Sequence, residues 1–267
     1  METLFGEEIE CIVKSNTKFD SYNIIELIVL DKKYNKFFLN FETSIFYINV
    51  KPPVHVIYDN IDFRQYSPYK ISYNKKTNEL LIYLAVRTYA DRMGISKYLS
   101  NRKIKDLLII SNPKLDDWSN DHQQINTNLL LKNKNLIFMY AGSGVTVINQ
   151  IRMNIYSQLN NKKKKDIENI ENICFNNNEK RIMISETEEK CKFDYQLYTT
   201  INYNLQHIFN AKKNLKLEFE KICNSYNTKE TIIILVGPEP FLEAVKELNK
   251  YVNYKIITFY SNHEHKH

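Results

Sequence analysis

Apolar and polar residues follow two different rhythms along this chain. Up to residue 112, short β-rich runs recur at 9–13, 24–30, 37–41, 46–50, 54–58, 80–86 and 106–110, parted by turns of Asn, Asp and Lys. Runs of that length with hardly any helical period predict a small antiparallel barrel or sandwich, interrupted by one helix over 96–101. A polar stretch over 112–135, carrying Asp116, Asp117, Trp118 and His122, reads as a linker or long excursion. Beyond it, strands at 136–140, 181–184, 205–209, 231–236 and 255–259 alternate with helices at 146–159, 194–200, 216–224 and 240–251. Alternation of that kind predicts a parallel sheet covered on both faces, with ligands at the carboxyl ends of its strands. The Lys- and Asn-rich tract over 160–178 shows no period and reads as a mobile insertion.

With 267 residues, two domains are the expectation, divided here as 1–125 and 126–267. A content of 43% hydrophobic, 13% aromatic and 25% charged residues excludes the disordered, collagenous and coiled-coil classes. Cys11, Cys174, Cys191 and Cys223 form no CxxC pair, which argues against a disulfide scaffold or a zinc ribbon and fits buried thiols in a reducing compartment; no metal site is expected. No apolar run reaches the roughly 18 residues of a spanning helix, and the start lacks the order of a signal peptide, so a cytoplasmic protein without a transmembrane segment is expected. The net charge of +6 is spread among acids except at Lys162 to Lys165, so nucleic acid is not the expected partner.

Glycine changes the picture more than charge does. Only five are present, where average usage gives about 18. Four of them fall in Arg92-Met93-Gly94-Ile95-Ser96, Tyr140-Ala141-Gly142-Ser143-Gly144-Val145-Thr146 and Leu235-Val236-Gly237-Pro238-Glu239-Pro240-Phe241. The second segment leaves a strand and opens a helix, which suits a phosphate as well as it suits a plain strand-to-helix turn. The third ends the most apolar strand, and the two turns together frame one crevice. Gly94-Ile95-Ser96 offers backbone amides and a hydroxyl at another helix start, or simply a serine at a helix end. In Phe63-Arg64-Gln65-Tyr66-Ser67-Pro68, Arg64 and Tyr66 share one face of a strand. They offer a cation beside an aromatic plate, or a surface arginine packed over a tyrosine.

In this order the segments resemble the ferredoxin-NADP reductase superfamily, and within it the NADH-cytochrome b5 reductase branch. Arg64-Gln65-Tyr66-Ser67-Pro68 is similar to its Arg-x-Tyr-Ser/Thr-Pro flavin motif, and Gly94-Ile95-Ser96-Lys97-Tyr98-Leu99 to its Gly-x-x-Ser-x-Tyr-Leu turn, one residue shorter. Ala141 to Thr146 resembles its Ala-Gly-Ser-Gly-Ile-Thr-Pro nucleotide turn, and Gly237 to Phe241 its closing Cys-Gly-Pro-x-x-Met/Phe motif. Ser185 to Lys190 sits where members carry a polar turn. Two departures stand out: Val236 where members have cysteine, and Val147 where they have proline.

The resemblance implies an FAD-binding antiparallel β-barrel followed by a Rossmann-like parallel α/β domain for NADH or NADPH. It implies that Arg64, Gly94, Ile95 and Ser96 hold the FAD diphosphate, that Tyr66 lies against the flavin ring, and that Ser67 reaches flavin N5, making Tyr66 and Ser67 the catalytic pair. Gly142, Ser143, Gly144, Thr146, Gly237, Pro238 and Phe241 are implied to position the nicotinamide nucleotide. The implied activity passes a hydride from NADH or NADPH to FAD, and then single electrons to a heme or iron-sulfur protein. The implied partner is a small acidic one such as cytochrome b5, met by a monomer. The alternative is a flavin-binding protein whose nicotinamide site has decayed at Val147 and Val236. NADH-specific members carry an aspartate after the third strand of the nucleotide domain. Here Asn210-Ala211-Lys212-Lys213 follows the run 205–209, which implies acceptance of NADPH or else a solvated basic loop.

Overall fold

The computed structural model describes residues 6–19, 22–41, 45–53, 63–87, 94–115, 130–161, 167–176, 202–209 and 211–260. These fall into two compact units, Met1–Asp116 with Asn149–Ile151, and Asp117–Ile148 with Arg152–His267. The division expected between 125 and 126 lies outside the described residues, as do the runs expected at 54–58, 181–184 and 194–200 and the turn Ser185 to Lys190.

The first unit is one antiparallel sheet. Its strands are β1 (Glu8–Lys18), β2 (Tyr22–Val29), β3 (Phe46–Lys51), β4 (Arg64–Tyr66), β5 (Lys70–Asn74), β6 (Glu79–Arg87), β7 (Leu107–Ser111) and β8 (Lys114–Leu115). They lie in the order β4-β3-β7-β1-β2-β6-β5, with β8 on β3. Alternation along β1 and β3 sends Ile9, Cys11, Val13, Phe46, Ile48 and Val50 into a core with Leu80, Ile82, Leu84 and Leu108. Helix α2 (Ile95–Ser100) adds Ile95 and Leu99 to that core.

The run at 37–41, expected as a strand, is instead helical over most of its length: α1 is Asn35–Leu39. Three consecutive apolar residues fit a strand or a helix equally, and the decision comes from their neighbours. Asp31 accepts from Lys33 N at 3.0 Å and starts a helical turn just before α1, and Phe38 is then buried while Phe37 stays exposed.

The second unit is a parallel sheet of β9 (Asn135–Ala141), β10 (Asn169–Asn176), β11 (Asn202–Phe209), β12 (Thr231–Gly237) and β13 (Lys255–Tyr260), ordered β11-β10-β9-β12-β13. The helices are α3 (Gly144–Asn161), α4 (Ala211–Ser225) and α5 (Glu239–Asn249). One face of the sheet packs Ile137, Met139, Ile173, Phe175, Ile233 and Leu235 against Phe219, Ile222, Leu242 and Val245 of α4 and α5. The other face meets α3, whose buried Arg152 donates to Tyr140 OH at 3.3 Å and to Asn172 Oδ1. Burial on both faces is why β12 reads as an unbroken apolar run.

The tract over 160–178, expected as a mobile insertion, holds β10, a strand with a parallel neighbour on each side. Its polar residues broke the pattern, yet they are paired inside the fold. Asn169 Nδ2 donates to Asn135 Oδ1 at 2.7 Å, Glu171 accepts from Tyr226 OH at 2.6 Å, and Asn172 accepts from Arg152. Cys11 and Cys174 are buried as expected, whereas Cys223 is only half-buried.

A buried phenol ties the end of α4 to the segment before β13. Tyr254 OH donates to Tyr226 O at 2.6 Å, and its ring meets Phe219 edge-on at 6.2 Å. Burial, followed by the Cys223 thiol, pushes this phenol from 10.0 up to about 12. The folded state therefore keeps the proton that the unfolded chain loses, so this contribution is complete below pH 10 and declines as pH rises from 10 toward 12. Tyr254→Phe should cost about 0.5–1.5 kcal/mol at neutral pH, the usual net worth of one hydrogen bond. Urea unfolding followed by circular dichroism should also show a shallower loss of stability above pH 10 in the variant. An unchanged alkaline slope would mean that the phenol is not held protonated.

Candidate functional site

In the first unit, β4 is an edge strand paired to β3, with Tyr66 opposite Ile48 and Arg64 opposite Val50. Tyr66 leans on the unit's core, while Arg64 on the same strand is exposed and makes no ion pair among the described residues. Ser67 follows, half-buried, and Pro68 is buried. The Tyr66 hydroxyl shares a hydrogen bond of 2.9 Å with Ser96 Oγ. Two segments thirty residues apart in sequence are thereby joined, and Arg64, Tyr66, Gly94, Ile95 and Ser96 come into one neighbourhood.

Gly94 is the informative member. Its φ of 170° and ψ of 178° are extended backbone that any residue adopts, and among the described residues a Cβ built on it would meet nothing within 4 Å. Neither its conformation nor its packing against the described residues therefore explains a glycine there. No side chain caps the start of α2. Bare backbone that no described residue approaches, joined through the Tyr66–Ser96 bond to the strand that bears an exposed arginine, could hold the diphosphate of a dinucleotide.

The far end of α2 is held by residues that sequence reasoning missed. Asn16 Nδ2 donates to Arg102 O at 2.8 Å, to Ser100 O at 3.2 Å and to Leu99 O at 3.4 Å. Asn23 Nδ2 donates to Asn16 Oδ1 at 2.8 Å and to Ser100 O at 3.2 Å. The Arg102 guanidinium stacks 3.9 Å from the Tyr98 ring centroid, and its Nε donates to Tyr98 O at 3.2 Å. An asparagine within a strand carries no sequence signal that separates this work from an ordinary polar surface.

In the second unit, β9 and β12 are neighbours flanked by β10 and β13, so the sheet changes direction between them. Ligands bind at such a switch point, beyond the carboxyl ends of the strands. The two glycine turns leave those same two strands. Gly142 has φ +56°, Thr146 Oγ donates to Ser143 O at 2.9 Å, and Val145 N to Gly142 O at 3.4 Å, which closes the first turn. The Thr146 hydroxyl proton is thus used inside the turn.

Gly144 and Gly237 have internal reasons for lacking a side chain. A Cβ on Gly144 would lie 2.8 Å from the Val236 carbonyl oxygen, and one on Gly237 would lie 2.7 Å from the Phe241 ring and 3.3 Å from the Ala141 Cβ. The turns are therefore packed into one another, and Val236, in the place of the expected cysteine, is fully buried against the start of α3. Val147 is buried as well. Pro238, extended at φ −67° and ψ 149°, opens α5, and Phe241 packs on Phe175 with centroids 5.2 Å apart. Gly142, Ser143, Gly144, Thr146, Gly237, Pro238 and Phe241 thus meet at one edge of the sheet. The side chains of Lys212 and Lys213, at the start of α4, lie outside what is described.

No protein-family model matches the chain, and no curated protein does. Solved structures do. A flavohemoglobin from Malassezia yamatoensis with bound FAD and heme aligns at a TM-score of 0.63 and 14% identity, over 96% of this chain and 60% of its own. The CS-b5R domains of human Ncb5or in the NAD+ form align at 0.61 and 16%, over 95% and 69%. Ferredoxin-NADP+ reductase from Plasmodium falciparum with 2′P-AMP aligns at 0.59 and 14%, over 97% and 98%. The chain spans 60% of the flavohemoglobin and nearly all of the ferredoxin-NADP+ reductase. At these identities the likeness is one of fold: the chain has the ferredoxin-NADP reductase-like architecture, an antiparallel β unit followed by a Rossmann-like one.

Proposed function

We propose that this chain, having the fold of flavin-dependent reductases, is an NAD(P)H oxidoreductase that carries FAD in its first unit and receives NADPH or NADH in its second. It would pass electrons singly to a small acidic heme or iron-sulfur protein such as cytochrome b5. The observation that carries the reading is Gly94: bare backbone that no described residue approaches, tied through the Tyr66–Ser96 hydrogen bond to the strand that bears Arg64.

Bound FAD would supply the one chemistry that no side chain here can, accepting two electrons as a hydride and releasing them one at a time. The chain's own residues bind and orient. Arg64 offers a charge-assisted, two-pronged hydrogen bond to the diphosphate, and the Gly94–Ser96 amides complete its cradle. Tyr66, its hydroxyl occupied by Ser96, is left with a ring face to lay against a flat ligand. Ser67, half-buried beside it, offers a hydroxyl to the flavin ring. In the second unit the turn after β9 offers backbone to the nucleotide's phosphates, and the turn after β12 offers Pro238 and Phe241 to its nicotinamide end.

The experiment is the visible spectrum of the purified protein, before and after anaerobic NADPH, followed by ferricyanide. Expected are a flavin band, its bleaching and its return. A colourless protein that takes up no FAD refutes the proposal, and a flavin band that NAD(P)H never bleaches favours a flavin binder with a decayed nucleotide site. Arg64→Ala should weaken FAD binding by about 1.5–3 kcal/mol, the range for a hydrogen bond to a charged group. Undiminished flavin in that variant would displace the diphosphate from Arg64.

The nucleotide is expected to be NADPH at least as readily as NADH. No acid follows β11, and Lys212 and Lys213 stand within four residues of its end. Lys212→Glu combined with Lys213→Glu should shift preference toward NADH. A wild-type preference for NADH of tenfold or more in kcat/KM, about 1.4 kcal/mol, would remove the lysines from that role.

A further inference from the structure

We infer that Asn16 and Asn23 are positioning residues for the flavin diphosphate, acting through α2; this rests on the diphosphate placement proposed above. The argument starts from the size of α2. Six residues rise only about 9 Å, so any shift of its last carbonyls is delivered to Gly94 and Ser96 at its other end. Those last carbonyls are the ones the two amides hold. The single Asn16 Nδ2 faces Leu99 O, Ser100 O and Arg102 O, and Asn23 both shares Ser100 O and donates to Asn16 Oδ1. That last bond sets which way the Asn16 amide points, because an acceptor already engaged by Asn23 leaves the nitrogen aimed at the helix.

The sheet supplies the anchor. Asn16 lies just after the register shift between Val13 and Ser15 in β1, and pairs across to Ile25 of β2, while Asn23 on β2 is buried and pairs with both Lys18 and Val86. A bulge of that kind bends a strand and re-aims the side chains beside it. Two central strands, β1 and β2, therefore fix the height and rotation of the helix that presents Gly94 and Ser96. At the near end Tyr66 bonds Ser96 Oγ from the side and Ile95 packs into the core. Loss of the amides leaves the helix without its hydrogen-bonded anchor at the far end, held by the Ser96 bond and by the apolar packing of Ile95 and Leu99, which does not fix its rotation as directional bonds do.

Asn16→Asp is the sharpest test, since it keeps the shape and turns a donor facing three carbonyl oxygens into an acceptor. Deflavinated full-length protein, held well below its melting temperature, is titrated with FAD and separately with riboflavin, which carries the ring without the diphosphate. Wild type should bind FAD. The variant should lose FAD affinity tenfold or more while riboflavin affinity changes no more than twofold. Asn23→Ala, which removes one carbonyl contact and the bond that orients Asn16, should lose FAD affinity about threefold with riboflavin again unchanged, and it decides the matter if Asn16→Asp does not fold. Unchanged FAD affinity in folded variants overturns the inference. Equal losses for FAD and riboflavin also overturn it, because the asparagines would then only hold up the sheet. A wild type that binds riboflavin and FAD equally, or neither, removes the diphosphate placement itself and the inference with it.

Discussion

Gly94→Asp should give a protein no less stable than wild type that has lost nearly all of its FAD. The two halves of that result come from different physics. An aspartate fits at Gly94, because the backbone there is extended and none of the described residues stands within 4 Å of its Cβ position. At the head of α2, where glycine is the capping residue, aspartate is a better cap by roughly a few tenths of a kcal/mol. Toward a diphosphate the same carboxylate is a like charge, and such juxtapositions cost several kcal/mol. A loss of a hundredfold or more in FAD affinity, roughly 2.8 kcal/mol, is the expected size. Thermal melts of the flavin-free protein and FAD titrations read the two halves separately. A variant that stays yellow would move the diphosphate elsewhere, and one that unfolds would mean that Gly94 serves the fold after all.

Gly94 also shows why some of this site was legible from the chain alone. In a protein with five glycines, each one draws attention to its position, and four of the five are in segments that open a helix or leave a strand. What composition could not tell was the reason at each position. Gly142 is needed for a positive φ, Gly144 and Gly237 for the contact between two turns, and Gly94 for no contact with the described residues. The Tyr66–Ser96 bond spans thirty residues and Asn16 reaches Arg102 across eighty-six, and no local pattern encodes contacts of that length.

The misreadings in the fold have the same origin. Strand β10 was hidden because a buried strand is expected to be apolar, and Asn172, Glu171 and Asn169 are not. Their partners Arg152, Tyr226 and Asn135 come from two helical regions and a neighbouring strand, so the signal that makes them tolerable is tertiary. In helix α1, Phe37, Phe38 and Leu39 are equally compatible with a strand and a helix. The Asp31 cap upstream and the Asn35 Nδ2 bond to Asn78 O at 3.3 Å settle it. Elements with a clean period, such as β12 and α5, matched their expected places within a residue or two.

Gly144→Ala is the substitution expected to damage the second unit most, and trimming the neighbouring side chain should not repair it. The added Cβ would stand 2.8 Å from the Val236 carbonyl oxygen, 3.1 Å from its carbonyl carbon and 3.0 Å from its Cγ1. A side-chain obstacle can rotate away, but this carbonyl belongs to a strand paired on both sides, Val236 with Tyr140 of β9 and with Phe259 of β13. The helix start has to move instead, and α3 is anchored by buried Val145, Ile148, Ile151 and Arg152. Overpacking of this kind typically costs about 1–3 kcal/mol. Because the displaced group carries Gly142 and Ser143 with it, NADPH affinity should fall along with stability, while FAD affinity stays at its wild-type value. Val236→Ala in the same chain removes the Cγ1 contact and leaves the carbonyl contact, so the double variant should recover little. Urea unfolding and NADPH titration of the single and double variants measure both effects. Full recovery in the double variant would show that the Val236 side chain alone sets the spacing between the two turns, and that a glycine at position 144 was needed only because a valine stands at 236.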